Sequence, residues 1–268
     1  MLLSCSSPMI PGDSLTAKAE KAKRWGYDAI ALFWPLDDWT PDVRQELLTL
    51  ERRTGVRPVE FVLQDAVYGH AMSPDPDLRG RCRAMYIEAA SVCAEIGAVT
   101  EIEYEYGARD PLPLFHPYQQ LDGAQETEFI DFYRQALEVV EGSDGQVLLE
   151  PINRYECRYL NLTADNLRII DAVGHPNAGL LPDTFHMSIE EADPADAIRQ
   201  AGGQVRHVHL GDNNRLLPGH GRLDWESIFG ALAEIGFDGA VNLECSTEGD
   251  PEQSLPPTAE RLRELIAP

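Results

Sequence analysis

The sequence predicts an α/β chain closed into a single (β/α)8 barrel, one domain spanning residues 1–268. Three observations predict it. Short apolar, strand-like runs alternate eight times with longer amphipathic runs, the pattern of parallel strands joined by helical crossovers. Several predicted helices stop at a glycine, at Gly26, Gly55, Gly97, Gly174 and Gly236, where a left-handed residue turns the chain toward the next strand. No strand is followed by GxGxxG or GxxxxGK[ST], so the rival open doubly wound sheet would lack its usual nucleotide loop. A length of 268 residues suits one barrel.

Strands are predicted over 2–6, 29–34, 57–63, 99–105, 146–151, 178–182, 205–210 and 240–245. The helices that follow them are predicted over about 14–25, 41–53, 77–96, 124–140, 163–173, 193–201, 225–235 and 257–266. A chain this long buries a large core and needs no disulfide staples.

Lys+Arg 22 against Asp+Glu 45 gives a net charge of −23, and the only lysines are Lys18, Lys21 and Lys23. Such a surface repels phosphate backbones and anionic headgroups, which argues against nucleic acid and membrane surfaces as partners. The five cysteines, Cys5, Cys82, Cys93, Cys157 and Cys245, include no CxxC pair and fit a reducing cytoplasm. The N-terminal stretch has no basic flank and reads as neither signal peptide nor membrane span.

In a barrel, chemistry gathers at the C-terminal ends of the strands. Strands five to eight run into Glu150, Asp183, His209 and Glu244, spaced 33, 26 and 35 residues apart, about one βα unit each. Three carboxylates converging without a cation would repel one another and hold protons. A divalent ion removes that conflict, and a donor set of oxygens and one imidazole suits Mn²⁺, with Mg²⁺ or Co²⁺ also accommodated. Arg154, Glu156, His186 and Arg215 lie on the loops beside this centre, where they can hydrogen-bond a polyol. His207 is expected to point away from the barrel interior and to be structural, and His220 is given no role.

The segments Glu150-Pro151-Ile152-Asn153-Arg154-Tyr155-Glu156, Asp183-Thr184-Phe185-His186-Met187 and His207-Val208-His209-Leu210-Gly211-Asp212-Asn213-Asn214-Arg215, with Pro218-Gly219-His220-Gly221, resemble the D-tagatose 3-epimerase group of ketose 3-epimerases. That group belongs to the xylose-isomerase-like TIM barrels. The specific match runs from about Leu148 to Ser246; the first half matches in architecture only. The resemblance implies one divalent metal on Glu150, Asp183, His209 and Glu244. It also implies Glu150 and Glu244 as the acid/base pair on opposite faces of a small sugar, and Glu156, His186 and Arg215 on its oxygens. It implies a metal-dependent, cytoplasmic isomerase or epimerase, and leaves a dimer or tetramer open. Two segments depart from the pattern: the second strand ends in Phe33-Trp34 without an acid, and the fourth runs into Glu101, Glu103 and Glu105 in place of a small loop. These should shape the distal pocket.

The expected reaction removes the proton beside a ketose carbonyl and stabilises the resulting enediolate on the metal. Return to the opposite face epimerises; return to the neighbouring carbon isomerises. The same first step would serve a lyase cleaving keto-glycosides or C-glycosides, or an inosose-processing enzyme. A barrel that binds sugar or metal without catalysis is a further alternative. An abasic-site nuclease with a second metal near His70 conflicts with the charge of −23.

Overall fold

The computed structural model describes residues 1–115 and 119–266. Eight parallel strands form the inner layer: β1 (Leu2–Ser6), β2 (Ala29–Pro35), β3 (Arg57–Gln64), β4 (Val99–Ile102), β5 (Gln146–Leu149), β6 (Ala178–Leu180), β7 (His207–Leu210) and β8 (Ala240–Leu243). Around them lie α1 (Leu15–Arg24), α2 (Pro41–Leu48), α3 (Leu50–Thr54), α4 (Pro76–Ile96), α5 (Gly123–Val140), α6 (Thr163–Val173), α7 (Thr184–Glu190), α8 (Pro194–Ala201), α9 (Trp225–Glu234) and α10 (Pro251–Ile266). The sheet order β6-β5-β4-β3-β2-β1-β8-β7 is that of a barrel cut between β6 and β7. Fully buried side chains such as Phe129 and Phe132 on α5 and Ile169 on α6 form the outer core. No described helix is long and apolar enough to cross a membrane.

The cut is nearly closed. Two isolated bridges, Leu180 with Val205 and Asp183 with His209, join β6 to β7. His209 donates its backbone N–H to Pro182 O at 2.9 Å. The Thr184 hydroxyl donates to Gly211 O at 2.8 Å and accepts from Gly211 N at 3.0 Å. The seam therefore closes at two of the residues that the strand-end pattern singles out.

β4 ends at Ile102 rather than 105, β7 begins at His207 rather than 205 and β8 ends at Leu243 rather than 245; further differences from the expected elements have a physical cause. β5 and β6 stop before Pro151 and Pro182, which have no N–H to continue a ladder. The helix expected over 41–53 breaks at Thr49, whose hydroxyl bonds back to Gln45 O at 2.9 Å. Helix α7 was not expected; it is one short segment capped by Asp183, whose Oδ1 accepts from Phe185 N and His186 N at 2.6 and 3.1 Å. Helix α10 starts at Pro251 rather than 257, because Pro fits a first turn and Asp250 Oδ1 caps Glu252 N at 2.9 Å. Pro256 and Pro257 lie inside it.

Thr184→Val keeps the shape but removes both hydrogen bonds across the seam, leaving a buried carbonyl and N–H unpaired. Urea unfolding should show a loss of about 1–3 kcal/mol; an unchanged midpoint would remove this hydroxyl from barrel closure.

Candidate metal centre

Glu150 and Glu244 directly follow β5 and β8, His209 lies within β7, and Asp183 follows β6 as the cap of α7. One ligand atom from each lies within 4.8 Å of the others. His209 Nδ1 is 2.6 Å from Glu244 Oε2 and 3.3 Å from Glu150 Oε1. These close approaches are not aligned as hydrogen bonds. Glu150 Oε1, Asp183 Oδ2 and His209 Nδ1 are all buried without a hydrogen-bond partner. Buried polar atoms are rarely left so. Three such atoms converging fit a cation, and the cluster is a candidate metal site among the described residues.

The far side of the His209 ring fixes its orientation. Nε2 lies 3.0 Å from both oxygens of Glu60, a fully buried carboxylate on β3. With the ring proton on Nε2, the Nδ1 lone pair faces the three carboxyl groups, the arrangement in which a carboxylate orients a ligating imidazole. Sequence reasoning missed Glu60; its only signal is one acid inside the apolar run Pro58-Val59-Glu60-Phe61-Val62.

His207 corrects an expectation. Residues two apart on a strand share a face, so His207 points inward with His209, and its Nε2 lies 3.4 Å from Glu60 Oε2. Burial raises Glu60, but the two imidazoles outweigh it and hold the carboxyl well below its ordinary range.

The electrostatics follow from crowding. Burial pushes Glu150 well up, with His209 opposing and the charges of Glu244 and Asp183 adding. Burial and then the charge of Glu244 push Asp183 from 3.8 to about 6. Burial would lower His209, but Glu60 and Glu244 hold it well above 6.5. Without a cation this cluster retains protons.

The three expected sugar contacts surround the centre. Arg215 Nη2 lies 3.5 Å from Glu244 Oε1, and Nη1 lies 3.7 Å from Glu156 Oε1. The Arg215 guanidinium stacks over Phe185 at 4.7 Å. Its backbone is left-handed, φ 57°, a conformation costing a non-glycine residue about 1–2 kcal/mol. The Asn153 amide donates to Glu156 Oε1 at 2.8 Å and lies 2.7 Å from His186 Nδ1, tying those two together. Burial, and then the charges of Arg215 and His209, hold His186 well below 6.5, so it is neutral. Arg154 instead forks onto the buried Glu190 at 2.8 Å. His220 pairs with Glu248 at the surface, and His70 Nδ1 lies 2.8 Å from Tyr68 O. No metal-ligating group among the described residues includes His70.

The two atypical strand ends also line the site. The Phe33 ring centroid is 6.3 Å from that of His209. Glu101 and Glu103 are buried; Tyr68 OH lies within hydrogen-bond distance of both, 2.6 Å from Glu101 Oε1, and Tyr86 OH donates to Glu103 at 2.6 Å. Two cavities flank the centre. One of about 380 Å³ is lined by Phe33, Arg215, Glu244 and Ser246. A larger one of about 890 Å³ lies beyond Glu156.

Among curated proteins, the chain is 33% identical over 174 residues to D-psicose 3-epimerase of Ruminiclostridium cellulolyticum, covering 64% of this chain and 58% of that one. It is 34% identical over 131 residues to 3-dehydro-D-guloside 4-epimerase of Escherichia coli, covering 48% and 49%. The matched segments thus span about half the length of these relatives. The crystal structure of 3-keto-D-glucoside 4-epimerase from E. coli superposes with a TM-score of 0.86 at 24% identity, covering 98% of this chain and 99% of that one. The family described as xylose isomerase-like TIM barrel matches residues 19–265. With that span of the chain matched and the eight-stranded barrel in place, the protein belongs to the xylose isomerase-like TIM barrel family.

Proposed function

We propose that this barrel is a divalent-metal-dependent epimerase acting on a ketose or keto-sugar. The observation that carries the reading is the convergence of two glutamates, an aspartate and an oriented imidazole on one point, with three buried donor atoms unpaired. The 33% identity to a D-psicose 3-epimerase supports it. Glu150, Asp183, His209 and Glu244 would hold the ion, and the oxygen-rich set suits Mn²⁺, with Co²⁺ or Mg²⁺ as substitutes. A bound ion would supply Lewis acidity to the substrate carbonyl.

The protein groups do the proton work. One of Glu150 and Glu244 takes the proton from the carbon beside the carbonyl, and the other delivers one to the opposite face. The two follow β5 and β8, three strands apart around the barrel, and so approach from different sides. Arg215, held by Glu244 and Glu156, and neutral His186, held by Asn153, present N–H groups to sugar oxygens. Glu156 offers a carboxylate acceptor.

Glu150→Gln and Glu244→Gln keep size and one oxygen but cannot take up a proton. Each should fold and lose about 10²–10⁴-fold in ketose turnover, followed by chromatography. Product formed in D₂O by the native protein should carry deuterium at the inverted carbon. Full turnover in either variant removes that residue from the proton transfer.

The metal ligands and the sugar-binding groups should separate by metal content. Native protein is expected to retain one Mn²⁺ per chain in elemental analysis, Asp183→Ala and His209→Ala to lose it, and His186→Ala and Arg215→Ala to keep it while losing turnover. Loss of metal from the last two would place them among the ligands.

Asp183 also predicts a pH dependence for the metal-free protein. Its folded pKa is raised from 3.8 to about 6, so the stability it contributes is full below the lower value and is lost as pH rises through the higher. Metal-free native protein should therefore lose thermal stability across that window relative to Asp183→Asn. Saturating Mn²⁺ at neutral pH should restore it to the native protein. Parallel melting curves for the two metal-free proteins would contradict the assignment.

A further inference from the structure

We propose that Asp212 is a positioning residue for the reaction: its buried carboxylate fixes the turn from which Arg215 reaches the metal centre, and so sets where the guanidinium meets the sugar. The inference rests on the epimerase reading above. It gives a role to a side chain outside both the ligand set and the sugar contacts.

The carboxylate gathers a loop. Asp212 lies just past β7 and is fully buried. Its Oδ1 accepts from Asn213 N at 2.8 Å and from Leu223 N at 3.2 Å. Its Oδ2 accepts from Gly219 N at 2.8 Å and from the Trp225 indole N–H at 3.0 Å. A carboxylate has about four acceptor positions, and here neutral N–H groups fill them. Burial would raise Asp212, but these donors, the Trp225 indole foremost, hold it below its ordinary range, so it stays ionised. The donors span residues 213 to 225, so one side chain organises the whole connection between β7 and α9. Its packing leaves no slack: a Cβ on Gly221 would overlap Asp212 Oδ1.

Arg215 is the residue that this anchoring constrains. Arg215 N donates to Asp212 O at 2.7 Å, and Asp212 N donates to Leu216 O at 2.9 Å, so both backbone groups of Asp212 close the turn. Within it Arg215 stands at φ 57°, a conformation that a non-glycine residue keeps only where its surroundings dictate it. Arg215 O accepts from Ser246 N at 2.8 Å, which hooks the turn to the segment just beyond Glu244. The guanidinium is thereby set 4.7 Å over Phe185 and 3.5 Å from Glu244. A long side chain held this way gives up less freedom when it binds a sugar oxygen.

Asp212→Asn keeps the shape, but the amide turns an NH₂ against two N–H donors whichever way it faces. The test measures kcat and KM for D-psicose with the full-length, Mn²⁺-loaded native protein, Asp212→Asn, Arg215→Ala and the double variant. Asp212→Asn should keep its metal and lose about tenfold or more in kcat/KM, and should cost less than about twofold once Arg215 is alanine. An equal loss in both backgrounds would mark a merely structural role and overturn the proposal. Native kcat/KM in Asp212→Asn would overturn it as well. Where Asp212→Asn does not fold, Trp225→Phe takes its place in the same cycle. It removes one of the four hydrogen bonds and leaves the carboxylate, and it is read by the same two criteria with an expected loss of about threefold or more. If the native protein leaves D-psicose and other ketoses unchanged, the epimerase reading fails. A crystal structure of the folded variant then decides the positioning alone: Arg215 displaced from Phe185 upholds it, and Arg215 unmoved overturns it.

Discussion

Three carboxyl groups aimed at one imidazole within 4.8 Å set the terms for everything around them. Like charges about 4 Å apart cost on the order of 4 kcal/mol even at an effective dielectric constant of 20. Water does little to relieve this, because Glu150, Asp183 and His209 are all buried. The surrounding structure acts on the imidazole first. Glu60, itself held by His207 at 3.4 Å, takes the Nε2 side and leaves Nδ1 to the carboxyl groups. Arg215 then meets Glu244 from the open side, at the expense of a left-handed backbone. The interior layer is consequently polar where a barrel of this kind would ordinarily hold branched apolar residues.

Asp183 shows how closely fold and site are joined. One of its oxygens caps α7; the other is buried, unpaired and turned to the centre. The backbone of the same residue bridges to His209 across the β6–β7 seam. Helix α7 in turn carries His186, whose ring is oriented by Asn153 on the loop after β5. Capping, closure and the presentation of the groups proposed to bind sugar thus share one short segment.

Much of this was legible in the sequence, because apolar strand runs ending in a single ionisable residue report direction as well as position. The eight strands and the grouping of Glu150, Asp183, His209 and Glu244 could be read this way. Helix α7 could not, since a seven-residue segment is too short for a periodic pattern. Glu60 was hidden because a lone acid in an apolar strand gives no hint of its partner, which is 149 residues away. His207 shares a strand face with His209, so the two-residue period turns it inward toward Glu60 rather than away from the interior. Arg154 shares its loop with Glu156, and only the position of Glu190 reveals that its guanidinium serves the loop's own architecture.

The sparse seam has a thermodynamic consequence. Strands β6 and β7 are joined by two isolated bridges, and among the other neighbours only β3 and β4 are as sparsely paired, through Glu60 and Val99. An ion held jointly by Asp183 and His209 would span that gap and act as a clasp. Such an ion, binding the closed ring alone, would by mass action add to the free energy of keeping it closed, about 2.7 kcal/mol at a free concentration one hundred times Kd. Ion availability would then enter the stability of the folded chain as well as its activity.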